Sequence, residues 1–304
     1  MRNNSLSDSD LRPAIVDREL AARLTFGNPV LERSITTLET TLRLFVEQFG
    51  APSKAFQIRG EDLQDDLLTV QLKLAVIRHL LGIRLGAHLT EIVESLSSQR
   101  TLSVAQSVRA ALETAGAATY YEDKFRRFAE DLPGLLKQVD RSLFGQRFEW
   151  QVWQATIGKT SRKELETFLS SPSQRDRKPH IDQNSPPSVM TFIDALENSL
   201  AQRLTEAAKM DGKPTPMKGH IRAIYGQLSD FVHPSIGSWK TYVHTEPEAF
   251  RIVISSGSRL EGLQFLWFGI GECAATMSLL GLEAIQRMDS LRSSLVRSNR
   301  APDG

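Results

Sequence analysis

One cysteine, Cys273, is all the thiol chemistry the chain carries. A single thiol excludes an intramolecular disulfide and any thiolate-rich zinc or iron–sulfur centre built from one copy. It fits a reducing, cytoplasmic compartment. An excess of charge is absent too: 37 Lys and Arg stand against 36 Asp and Glu, a formal net charge of +1. No overall field therefore draws nucleic acid, membrane or acidic substrate, and such a partner has to be held by a local patch. The segment 1–10 is rich in Asn and Ser without an apolar core, and reads as a tail rather than a signal peptide.

Long apolar runs are nearly missing. Residues 263–285 form the one stretch that raises a membrane question, and Glu272 sits at its middle among Gly269, Gly271 and Gly281. A central carboxylate costs several kcal/mol in hydrocarbon, so the run reads as a buried core helix and no membrane partner is expected. Gly269, Gly271 and Ala274 also fit the spacing of a dinucleotide-binding turn. That turn needs a following strand with an acidic residue some twenty positions on, and the chain ends before one can form. No phosphate-binding Gly-rich loop with Lys and Ser or Thr, zinc-protease helix, paired-cysteine spacing or nucleophile elbow is found. No cofactor and no metal are therefore expected. His79, His88, His220 and His244 lack mutual metal spacing and read as surface or interface residues.

What is present is helical periodicity. With 304 residues, 40% of them hydrophobic, the chain suffices for one large helical domain or two small ones. The expected fold class is all-α: an up-and-down bundle over residues 28–292, between tails at 1–27 and 293–304. Asn28 and Pro29 open a helix that Gly50 closes, with Leu31, Ile35, Leu38, Leu42 and Phe45 on its apolar face. Further helices are expected over 61–98, over 103–130 with another to about 144, and over 161–169, 189–210, 217–233 and 260–292. The cluster Glu61, Asp62, Asp65 and Asp66 lies in the first turns of its helix, where carboxylates complement the macrodipole. Residues 149–157 are ambiguous between strand and helix. Residues 170–188 hold four prolines and read as a loop or linker. β-Branched and aromatic residues at 239–243 and 250–254 suggest a short hairpin.

Two helices carry a polar row beside an apolar stripe. In the first, Val104, Val108, Ala111, Ala115 and Ala118 form the stripe, and Arg109, Glu113, Gly116 and Tyr120 run along its edge at steps of three or four. In the later one, Ile221, Ile224, Leu228, Phe231 and Val232 are apolar, and Arg222, Tyr225, Ser229 and His233 flank them. If the stripes pack, the rows face one groove. His233 can then transfer protons near neutral pH, Arg109 or Arg222 can hold a phosphate, Glu113 can orient either, and Tyr225 can stack or donate a hydrogen bond. The competing reading is structural, with Arg109 and Glu113 an ordinary i to i+4 pair and His233 capping its helix ahead of Pro234. Ser229 lies mid-helix, away from any strained turn, and does not read as a nucleophile.

The segment from Ser107 to Ala115, with Arg109 and Glu113, followed by Tyr225 to Ser235 with Ser229, His233 and Pro234, resembles an uncharacterised bacterial family. Its members pair an Arg-x-x-x-Glu helix with a Leu-Ser-x-x-x-His-Pro helix, and it is often grouped with the HEPN-like helical bundles. The similar region spans residues 62–282. The resemblance implies an all-α bundle and hints at dimeric proteins of toxin–antitoxin and phage-defence systems that cut RNA without metal. HEPN ribonucleases place their arginine closer to the histidine than Arg222 stands to His233 here; Gln227, Leu228 and Ser229 occupy the nearer positions. On this reading the partners are RNA or a nucleotide, a second copy of the chain, and an antitoxin or other operon partner. The catalytic set is His233 as general acid/base with Arg109 and Glu113, and Arg222, Tyr225 and Ser229 bind substrate. The contrasting expectation is a non-catalytic helical interaction module whose polar rows specify helix register.

Overall fold

The computed structural model describes residues 29–50, 66–98, 100–136, 187–211, 219–233, 243–246, 251–254 and 264–299. The expected elements at 144, 149–157, 161–169 and nearly all of the loop 170–188 lie outside them. Six helices and one strand pair make up the described residues: α1 (Pro29–Phe49), α2 (Asp66–Ser97), α3 (Thr101–Leu136), α4 (Val189–Asp211), α5 (His220–Val232), β1 (Val243–Glu246), β2 (Arg251–Ile254) and α6 (Gln264–Asn299). The fold is an all-α bundle. β1 and β2 pair antiparallel, with Val243 opposite Ile254 and Glu246 opposite Arg251. The first strand thus begins where the expected one ended.

α3 is the central element. It packs against α2, α4, α5 and α6, and α6 also covers α1 and α2. The sequence of α3 explains this position: Ala105, Ala111, Ala115, Ala117 and Ala118 are buried on several faces, and small side chains let neighbouring backbones approach closely. At Gly116 the approach is closest, since a Cβ there would come within 2.7 Å of the Phe192 carbonyl carbon on α4. Gly116 therefore belongs to the α3–α4 contact and not to a polar row. Gly281 of α6 lies against both Ala115 and Leu85, which fixes α2, α3 and α6 at one level.

The core runs from Leu38, Leu42 and Phe45 of α1 through Leu85, Leu89 and Ile92 of α2 to Ala274, Ala284 and Ile285 of α6, all at or near complete burial. The glycine-containing run at the start of α6 is helical from Gln264 onward, so Gly269 and Gly271 lie inside a helix and form no dinucleotide turn. No described helix is long and apolar enough to cross a membrane. Two boundaries differ from expectation. α3 continues past Glu130 through Pro133 to Leu136, because a proline in the last turn forfeits only one ladder bond. α6 continues past Arg292 to Asn299 into the expected tail, as polar residues with helix-compatible side chains do not stop a helix.

A cluster of Arg109, Glu113 and Tyr225 at the α3–α5 contact

Stripe-against-stripe packing of α3 on α5 brings the polar edges together. Ile221, Tyr225 and Leu228 are the buried face of α5. Tyr225 thus enters the interface beside Arg109 and Glu113, and the three side chains close a triangle. The Tyr225 hydroxyl donates to Glu113 Oε1 at 2.7 Å and accepts from Arg109 Nε at 3.0 Å, while Arg109 Nε also donates to Glu113 Oε1 at 3.1 Å. The guanidinium carbon lies 5.0 Å from the centroid of the Tyr225 ring, within cation–π range. Both charged side chains keep 24% of their surface exposed, so the triangle opens to solvent.

Electrostatics follow from this geometry. Burial, then the hydrogen bond and charge of Glu113, push the Tyr225 phenol up to about 12, against the opposing pull of Arg109. Burial works against the Arg109 cation, but the Tyr225 and Glu113 contacts outweigh it and its pKa rises. An absorbance titration tests the arrangement. Among the four tyrosines, one is expected to ionise near 12, and Glu113→Gln should bring it down towards the usual value of about 10. The neutral phenol is the form the fold favours. Its contribution is therefore complete below pH 10 and is lost as pH rises towards 12.

Among the described residues Arg109 is held through Nε alone. Among the described residues neither of its terminal nitrogens has a hydrogen-bond partner, so the two-pronged edge that matches a phosphate remains available. A groove of about 800 Å³ between α3 and α4, apart from the triangle, offers a contrast. There Arg126 and Arg127 pair with Asp123, Arg203 with Glu283, and Arg287 with Glu122, so every cation is compensated.

The remaining expected site residues separate. Arg222 turns to α4 and pairs with Asp194, away from the triangle. The Ser229 hydroxyl donates back to the Tyr225 carbonyl at 2.9 Å. His233 is exposed at the end of α5, where its backbone N–H donates to the Ser229 carbonyl. No hydrogen bond or ion pair among the described residues joins its ring to Arg109, Glu113 or Tyr225.

Two contributors had no local sequence signal. Glu197 on α4 receives the backbone N–H groups of Gly219 at 2.7 Å and His220 at 3.1 Å on one oxygen, and of Ile221 at 2.9 Å and Arg222 at 3.1 Å on the other. It satisfies the orphan donors of α5 and offsets its dipole, so it positions Tyr225. Gly219, at φ 97°, supplies the left-handed turn that starts the helix and has no side chain with which to cap it. The other contributor is His88 on α2. Burial and the Arg84 guanidinium push its imidazole below the ordinary value, while the nearby Glu113 carboxylate acts the other way. Among the described residues no group of three or more His, Cys, Asp or Glu is placed to hold a metal ion. Comparison with protein-family models, curated proteins and solved structures returns no match.

Proposed function

We propose that this chain is a HEPN-like protein that binds RNA, or a nucleotide, through the phosphate-gripping edge of Arg109. The observation that carries the reading is the oriented guanidinium: Glu113 and Tyr225 fix it through Nε, its terminal nitrogens have no hydrogen-bond partner among the described residues, and 24% of the side chain is exposed. A fork fixed before the ligand arrives loses little side-chain entropy on binding, and an arginine–phosphate contact contributes about 1.5–3 kcal/mol. In this reading Tyr225 lines the site, whereas Arg222, paired with Asp194, and Ser229, bonded to the Tyr225 carbonyl, do not reach it.

Cleavage, as part of the same proposal, is metal-independent transesterification. The RNA 2′-hydroxyl attacks the adjacent phosphorus, the 5′-oxygen leaves, and exposed His233 relays the proton as general acid/base. A toxin or phage-defence setting, with a homodimer and an antitoxin or operon partner, belongs to this reading. A second reading, a non-catalytic interaction module, is favoured by one observation. All three bonds of the triangle run between α3 and α5 or within α3, as a register-setting network does.

Incubating the purified protein with total RNA in EDTA separates the two. Wild type is expected to generate fragments and His233→Ala none, with unchanged melting because the ring is exposed. Fragmentation that survives in His233→Ala removes the catalytic role. An inert wild type whose Glu113→Ala variant melts earlier supports the module.

A further inference from the structure

The polar triangle does not end at α3. α2 ends at Ser97, α3 begins at Thr101, and the two run antiparallel, so residues equally far in sequence from the junction lie at the same level. His88 stands as far before Gln99 as Ala110 stands after it, which sets Arg84 and His88 beside the span from Arg109 to Glu113. The contact of Leu85 and Ala115 at Gly281 shows the same level independently. Arg84 is exposed and His88 half-buried, and Arg84 Nε donates to His88 Nε2 at 3.4 Å. That contact uses the imidazole nitrogen as an acceptor, which the neutral ring offers, and the lowered pKa of His88 favours the same form.

We propose that Arg84 and His88 complete the anion site of Arg109, and that the imidazole joins it as a cation when a phosphodiester binds. The inference rests on the phosphate-binding reading above. Among the described residues, the groups that act on His88 are Arg84 from its own helix and Glu113 from α3, with Arg109 and Tyr225 reached through Glu113. With His88 neutral the cluster holds two guanidinium cations and one carboxylate. Burial first and the Arg84 charge second disfavour the imidazolium, and an incoming phosphate anion offsets both, so binding takes up a proton. The sign follows. The free histidine titrates low and the bound one higher, so affinity is greatest at acidic pH and falls as pH rises through the bound value.

A 2′-deoxy oligonucleotide resists cleavage, and its phosphodiester charge is constant between about pH 5.5 and 8, so its affinity isolates the protein's protons. Fluorescence anisotropy is expected to show wild type binding about ten-fold more tightly at the acid end, and His88→Gln with a flat profile. His220→Gln, at an exposed position outside the cluster, should keep the wild-type slope. Arg84→Gln, at an exposed position, should bind roughly ten-fold more weakly at every pH. A wild-type slope in His88→Gln, or unchanged affinity in Arg84→Gln, overturns the inference and leaves the Arg109 reading standing. Wild type that fails to bind at any pH overturns both.

Discussion

Gly116→Val is expected to lower the melting temperature by roughly 6–12 °C, the equivalent of about 3 kcal/mol in a bundle of this size. The added Cβ would meet the backbone of Phe192, its carbonyl carbon at 2.7 Å and its Cβ at 3.1 Å, and a backbone cannot rotate out of the way as a side chain can. α3 and α4 would have to separate. Tyr120 and Tyr121 would then lose their ring contacts with Phe192, at centroid distances of 5.6 and 5.9 Å. Gly116→Ala should fall between, since alanine returns about 1 kcal/mol of helix propensity while still overpacking the contact. Gly226→Ala is the control. Gly226 is exposed on α5 with nothing within 4 Å of a built Cβ, so its replacement should stabilise the protein by up to about 1 kcal/mol. Scanning calorimetry of the three variants reads both signs. A Gly116→Val protein that melts with wild type would mean that the two helices are not in backbone contact.

Glu197→Ala has the second largest expected effect, and it reaches the candidate site. One carboxylate receives four N–H groups at the start of α5. Removing it leaves those donors to water and takes an anion from the positive end of the helix, a loss of about 2 kcal/mol. The effect is local. The first turn of α5 should lose protection against hydrogen exchange, and Tyr225, one turn further on, should slip from Glu113. Its phenol would then titrate well below the value of about 12 that burial and Glu113 give it in the intact protein. Glu197→Gln keeps an acceptor without the charge and should fall between. Undiminished exchange protection in Glu197→Ala would show that α5 is held by its apolar face alone.

Local grammar made the bundle readable. Pro29 and Gly50 mark the ends of α1 to within a residue, and the apolar spacing of α3 predicted its buried face. In α5, by contrast, Tyr225 of the expected polar row is buried with Ile221 and Leu228, while Ile224, Phe231 and Val232 are only partly so. Stripe-edge spacing anticipated the meeting of Arg109, Glu113 and Tyr225, because the pairing needed only two packed helices. It failed for Arg222, which projects from the same side as His233 but sits in the first turn of α5 beside Asp194 of α4. It failed for Gly116 because a glycine on a polar edge is indistinguishable in sequence from one at a backbone contact. Glu197 and His88 were illegible for a different reason. Each acts on an element that is distant in sequence or joined to its own by a turn, and no local spacing encodes that. The bare start of α5, with Gly219 and no capping side chain of its own, was the one hint that the cap would come from elsewhere.

Phosphate binding at this site depends on the grip of the Arg109 fork. Equilibrium binding of a 2′-deoxy oligonucleotide to wild type and Arg109→Gln, read by anisotropy at about 0.1 M salt alongside thermal melting, addresses it directly. Loss of one charge-assisted arginine contact predicts roughly ten- to hundred-fold weaker binding, with the fold still intact by its melting transition. Equal affinity in the two proteins would contradict the account and leave the triangle of Arg109, Glu113 and Tyr225 as a clasp between α3 and α5.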